Sequence, residues 1–244
     1  VQSPNTEGLS TKASIIGKKS LNHNVLQLSL QLNDPLEYQA GQYINITNNE
    51  QVTRSFSIAN QTKKDKNIDL HIRIIPSGKM SSWLKDKAQI GDELIVRGAV
   101  GDCFYIVEEN SDYPIVLAGT GTGLAPLYGI LLDALENGHK GKIKLYHGAL
   151  KEDDLYFIDE LNKIATHHSN FKYVPCVLHG EEGKFYKIGN IEDIVMAAMS
   201  EDKNNVRAYL CGAPEMVNSL KVKIFLAGVS NQRIHSDAFL PSKE

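Results

Sequence analysis

The apolar positions of this chain change their period near its middle. Up to Glu108 they alternate with polar ones in short segments, at residues 25–30, 43–46, 68–74 and 93–96, separated by Asn-, Asp- and Gly-containing turns. Alternation with period two and frequent turns predicts antiparallel strands, and several such strands in this stretch predict a small, closed, six-stranded β-barrel. Residues 81–87 are its one predicted short helix. From Tyr113 onward the pattern becomes strand, helix, strand. Residues 114–118 are a compact apolar run without alternation, as expected of a strand buried on both faces. Similar runs follow at 143–146, 173–178 and 208–211. Helical stretches are predicted at 125–137, 154–165, 191–199 and 214–227, which together make an α/β doubly wound parallel sheet. The polar segment 109–113 separates the two regimes, so the chain reads as two domains, 1–110 and 111–244.

Composition narrows the function classes. With 26 basic and 29 acidic residues spread over 244, the chain shows no basic patch for nucleic acid or anionic lipid. The three cysteines, Cys103, Cys176 and Cys211, are far apart and odd in number. They form no disulfide framework or zinc cluster and cannot supply the four thiolates of a plant-type iron-sulfur centre, so no metal site is expected in this chain. No run approaches the roughly eighteen apolar residues of a membrane span, and no signal peptide is visible, which makes a cytoplasmic setting the default. Val1 in place of Met points to trimming or to a missing upstream module.

The turn Gly119-Thr120-Gly121-Thr122-Gly123 follows the apolar run and opens a helix. Glycines there let the backbone approach a pyrophosphate, and the free N–H groups of the helix start supply donors. Taken alone, the same turn could equally be a tight strand-to-helix connection with no ligand. Leu124 stands where the common dinucleotide fingerprint has glycine, and the lysine of a nucleoside-triphosphate loop is missing.

Five segments in order resemble the ferredoxin-NADP reductase superfamily, and within it the FAD-containing reductase components of bacterial oxygenases. They are 54–60 (Arg-Ser-Phe-Ser-Ile-Ala-Asn), 78–84 (Gly-Lys-Met-Ser-Ser-Trp-Leu), 119–126, 211–216 (Cys-Gly-Ala-Pro-Glu-Met) and 237–239 (Asp-Ala-Phe). The resemblance implies a flavin-binding barrel followed by a nicotinamide-nucleotide domain. In the first segment, Arg54, Ser55, Phe56, Ser57 and Ile58 would meet the flavin. Arg54 is suited to the pyrophosphate, Phe56 stacks but lacks the hydroxyl of the family tyrosine, and Ser57 lies near the flavin N5. Gly78, Lys79, Met80, Ser81 and Ser82 would converge on the diphosphate and favour FAD over FMN. Gly119 to Gly123 would hold the nicotinamide nucleotide. Cys211, Gly212 and Pro214 would lie near its reacting ring, with Asp237 orienting the ring edge and Phe239 against the flavin face. Ser57, Cys211, Asp237 and Phe239 are the implied catalytic set. Residues 98–104 resemble the family's G-x-x-G-x-F turn, which implies a structural role for the turn and no reactive role for Cys103.

The implied reaction is hydride transfer from a reduced nicotinamide to FAD, which requires orientation to within about 3–3.5 Å rather than a tuned acid or base. The arginines of NADP enzymes are missing after the second and third parallel strands, where Glu181 and Glu182 would repel a phosphate. NADH is therefore expected over NADPH, with His147, Lys151 and His179 as the cations that could reverse the preference. The implied acceptor is a ferredoxin or iron-sulfur module, in another chain or upstream, that feeds an oxygenase. The alternative is an FAD-binding electron-distributing or regulatory subunit with little turnover of its own.

Overall fold

The structure is a computed structural model describing residues 10–62, 66–108, 112–199 and 205–240. Its first half is a six-stranded antiparallel sheet: β1 (Ser10–Ser20), β2 (Val25–Leu32), β3 (Tyr43–Thr47), β4 (Thr53–Ser57), β5 (Asn67–Arg73) and β6 (Glu93–Val100). The strand order is β4-β3-β6-β1-β2-β5. The alternation in β2 is a burial pattern: Leu28, Leu30 and Leu32 enter the core while Gln27, Ser29 and Gln31 face outward. Beyond the end of β4, Ile58 bridges Leu70 of β5, and the Ala59 N–H donates to the Asp69 carbonyl at 2.8 Å, so the two edge strands meet. Helix α1 (Lys79–Asp86) buries Met80, Trp83 and Leu84 against this core.

The second half is a six-stranded parallel sheet of β7 (Ile115–Thr120), β8 (Ile143–Ala149), β9 (Phe171–Val177), β10 (Lys187–Ile188), β11 (Arg207–Gly212) and β12 (Ile234–Ala238). Its order is β10-β9-β8-β7-β11-β12. Helices α2 (Leu124–Glu136), α3 (Ile158–His167), α4 (Ile191–Met199) and α5 (Pro214–Leu226) pack on it. The sheet separates two apolar layers. Tyr209 and Cys211 of β11 face one, and Ala208 and Leu210 face the other.

Three local expectations need correction. Gly98, Ala99 and Val100 end strand β6 instead of forming a turn. The pairing of Tyr43 with Val100 and of Asn45 with Arg97 leaves one extra residue on β6, a bulge that Gly98 accommodates at φ 102°. The stretch predicted helical from Asp154 begins instead as a 3-10 turn at Glu152–Asp154, runs extended, and becomes helical only at Ile158. Phe157 takes φ 59°, and its ring packs edge-on against His71 of the first half. The sheet also gains β10 and β12, too short or too polar to show an apolar run. The proposed domain boundary falls partly on residues 109–111, which lie outside the described residues.

The halves are joined along a seam of specific contacts. Asp133 of α2 accepts from the Thr62 N–H at 2.6 Å and from its hydroxyl at 2.5 Å. The Asn22 amide donates to the Asp154 carbonyl at 2.9 Å, and His71 Nδ1 lies 3.2 Å from the Tyr156 hydroxyl.

Candidate functional site

A cleft of about 1280 Å3 opens between the halves, at the C-terminal ends of the parallel strands. This is where open α/β sheets bind ligands. Edge strand β4 places Arg54, Ser55, Phe56 and Ser57 along its first wall, with Ser57 buried. The Ser55 hydroxyl donates to Asn45 Oδ1 at 2.6 Å, and Arg54 Nη1 donates to the Thr53 carbonyl at 2.7 Å. The start of α1 adds Gly78, Lys79, Met80 and Ser81. The Ser81 hydroxyl is already engaged locally: it accepts from the Ile75 N–H at 3.2 Å and lies 3.1 Å from the Ile75 carbonyl. Ser82 turns away to a small groove beside Glu50 and Trp83, and Ile58 points into the first core.

On the second wall, Thr120, Gly121 and Thr122 line the cleft. Gly119 and Gly123 do not, and a different constraint demands glycine at Gly123: a Cβ there would stand 2.3 Å from the Cys211 carbonyl oxygen. Gly121 has φ 54° and nothing within 4 Å, so its open side faces space. The Ala213 N–H donates to Thr120 Oγ1 at 3.1 Å, which locks the β7 and β11 turns together. Gly212, Pro214, Asp237 and Phe239 line the cleft, and the Phe239 N–H is held by the Gly212 carbonyl at 2.8 Å. Burial, reinforced by the Asp102 charge, raises the Asp237 pKa. Cys211, next to Gly212, is fully buried, and its Sγ lies 3.8 Å from that of Cys103. Burial and the neighbouring thiol push its pKa well above the ordinary thiol value.

Charge divides by wall. Arg54, Arg73 and Lys79 stand on the first, whereas Asp154, Glu192, Glu215 and Asp237 stand on the second. Among the described lining residues, the second wall has no lysine or arginine and the first no carboxylate. Of the cations that could have reversed the nucleotide preference, His147 is wholly buried. Its pKa is pulled down to about 4 by burial, and Nδ1 lies 3.3 Å from the Tyr173 hydroxyl, so it is a neutral core residue. Lys151 and His179 are exposed but do not line the cleft, and neither do Glu181 and Glu182.

Sequence reasoning missed Arg73, Asn190 and Glu192. Asn190 Oδ1 accepts from the Glu192 N–H at 3.0 Å, capping α4 and turning that acid toward the cleft. An Asn followed by two acids at a helix start, just beyond a parallel strand, was the available signal. Arg73, at the end of an alternating strand, carried none.

An oxidoreductase FAD-binding domain model matches residues 12–105, and an oxidoreductase NAD-binding domain model matches residues 117–221. The ferredoxin–NAD(P)+ reductase component of the naphthalene 1,2-dioxygenase/salicylate 5-hydroxylase systems of a Ralstonia species is 31% identical over 234 residues, covering 95% of this chain and 69% of that protein. This chain belongs to the FAD- and NAD-binding reductases of that type. The reductase is also 35% identical over 238 residues to the reductase subunit of an aromatic O-demethylase from an Amycolatopsis species, covering 94% of this chain and 69% of that subunit. Its fold matches the crystal structure of an Amycolatopsis cytochrome P450 reductase with a TM-score of 0.89 at 30% identity, over 96% of this chain and 70% of that one. It is an NAD(P)H-dependent flavoprotein oxidoreductase that uses FAD. No helix among the described residues is long and apolar enough to cross a membrane.

Proposed function

We propose that this reductase oxidises NADH in preference to NADPH and passes the electrons through FAD to a separate ferredoxin or iron-sulfur module of an oxygenase system. The observation that carries the nucleotide preference is the division of charge across the cleft. A second wall carrying Glu192 and Asp154 and no lysine or arginine among its described residues suits a ribose diol, whose hydroxyls donate to carboxylates. It offers a 2'-phosphate no cation. The cations of the first wall suit the flavin pyrophosphate, with Arg54 as its fork-shaped partner. The residues present therefore fit both dinucleotides.

FAD supplies the hydride acceptor when bound. Phe56 gives it an apolar contact, and Ser57 offers a hydroxyl at the reacting edge. Gly121 and Thr122 take the nucleotide pyrophosphate on open backbone, and Phe239 is the aromatic that yields to the nicotinamide. Asp237, half-buried at the cleft wall, orients the ring edge. Cys211 acts through its backbone, which positions Gly212, because its thiol faces the seam and not the cleft.

The first sheet closes into a barrel in this reading, a closure supported by the Ile58–Leu70 bridge between its edge strands. The division into 1–110 and 111–244 is supported by the change from antiparallel to parallel pairing between β6 and β7. A cytoplasmic setting accords with three cysteines that are all free. The acceptor is inferred from relatives described as reductase components of dioxygenase systems. Anaerobic addition of NADH should bleach the flavin absorbance of the loaded protein far faster than NADPH does. Equal rates for the two nucleotides would overturn the preference, and failure of the protein to take up FAD would overturn the reading as a whole.

A further inference from the structure

We propose that Cys103 and Cys211 form an oxidisable dithiol site, at which a peroxide converts two thiols into a disulfide that ties the two halves together and slows the reductase. The sulfurs belong to residues 108 positions apart, yet lie 3.8 Å from each other. Cys103 follows β6 in the first half, and Cys211 ends β11 in the second. Both belong to one buried layer with Tyr105, Tyr113 and Tyr209. A disulfide is about 2.05 Å long, so the sulfurs have about 1.8 Å to close. Side-chain rotation must provide most of this, because the Cys103 backbone is wedged: its carbonyl oxygen would lie 2.2 Å from a Cβ placed on Gly41. Cys176 is excluded as the partner. It sits on β9 at the cleft, belongs to the other apolar layer of the sheet, and its Sγ donates to the Val174 carbonyl at 3.4 Å.

The chemistry balances with a peroxide, which reduced flavins generate from dioxygen. Cys103, the less deeply buried of the pair, attacks the O–O bond as the seam opens. A sulfur–oxygen bond forms, the O–O bond breaks, and water leaves, giving a sulfenic acid. The Cys211 sulfur then attacks the Cys103 sulfur. The S–S bond forms, the S–O bond breaks and a second water leaves, so that two thiols have lost two electrons and the peroxide has gained them.

Function is affected through the backbone. The Cys211 carbonyl packs under the turn Gly119–Gly123, and the next residue, Gly212, is cleft wall. With the Cys103 backbone wedged, the part of the closure that rotation does not supply falls on Cys211 and shifts the floor beneath the turn Gly119–Gly123, while the bond itself prevents the halves from separating.

The test uses the full, flavin-loaded chain treated with hydrogen peroxide, alkylated, denatured and mapped without reductant. Alkylatable thiols should fall from the three of the sequence to one, with a single peptide pair linking 103 to 211, and dithiothreitol should restore all three. NADH-driven flavin reduction should slow at least threefold and recover with the thiols. In Cys176→Ser the same link should form and leave no free thiol. In Cys103→Ser neither link nor slowing should occur; if that variant fails to fold, Cys176→Ser decides. Three remaining thiols, a link through Cys176 or between two chains, or over-oxidation in place of the link would overturn the site. A clean link with an unchanged reduction rate would overturn its control of activity.

Discussion

Two glycines in one turn should fail for different reasons when replaced by alanine. A Cβ on Gly123 would stand 2.3 Å from the Cys211 carbonyl oxygen and 2.6 Å from its carbonyl carbon, whereas real contacts stay beyond 3.0 Å. The turn or β11 must then yield by about 0.7 Å, the shortfall from that limit. Overpacking of this kind costs about 1–3 kcal/mol, and the upper end applies because backbone opposes backbone. At about 2–4 °C per kcal/mol for a protein of this size, Gly123→Ala should lower Tm by about 6–12 °C. Gly121→Ala meets no atom within 4 Å and carries only the cost of φ 54°, about 1 kcal/mol, or about 2–4 °C. The same displacement in Gly123→Ala moves Gly212 at the cleft wall, so KM for NADH should rise while FAD, proposed to lie on the other wall, should be retained. Thermal melts of the flavin-loaded protein, with stopped-flow flavin reduction over a range of NADH concentrations, measure both effects. If Gly123→Ala melts no lower than Gly121→Ala and keeps its KM, the packing of β11 under the turn is not what demands glycine.

Other perturbations separate the walls of the cleft. Arg54→Ala should raise the Kd for FAD at least about tenfold, equivalent to about 1.4 kcal/mol, with the rate of hydride transfer at saturating FAD little changed; titration with FAD reads this directly. Glu192→Gln should raise kcat/KM for NADPH relative to NADH by about tenfold, and an unchanged ratio would remove Glu192 from nucleotide selection. Burial pulls the pKa of His71 down to about 3 and that of His147 to about 4, from the ordinary 6.5. A ring whose folded value lies below its unfolded value adds stability above pH 6.5 that is lost as pH falls toward the folded value. Tm should therefore drop between about pH 6.5 and 4, and His71→Gln should flatten that drop; an identical pH profile for the variant would refute the assignment.

Much of the scaffold was legible in local order. The alternation of Leu26, Leu28 and Leu30 with Gln27, Ser29 and Gln31 marked a half-buried strand, and residues 114–118 marked a strand buried on both faces. Such patterns are written in neighbouring residues, because a strand repeats every two positions and a helix every 3.6. The motifs around Arg54, Gly78, Gly121, Gly212 and Phe239 likewise lie on the cleft. The fate of individual side chains was not legible. Within one motif Ser81 reaches the cleft and Ser82 does not, and Cys211 turns its thiol away while Gly212 forms the wall. His147, a candidate cation in the sequence, is neutral core.

What the sequence alone determined is the pair of sheets, their order along the chain and the turns that border the cleft. Tertiary structure decided which members of each motif line the cleft, how acids and cations divide between the walls, and that Cys103 touches Cys211 and His71 touches Tyr156. Those contacts join residues 85 to 108 positions apart. They arise from the docking of one half on the other, a sum of many weak packing and hydrogen-bond terms that leaves no periodic trace in either strand.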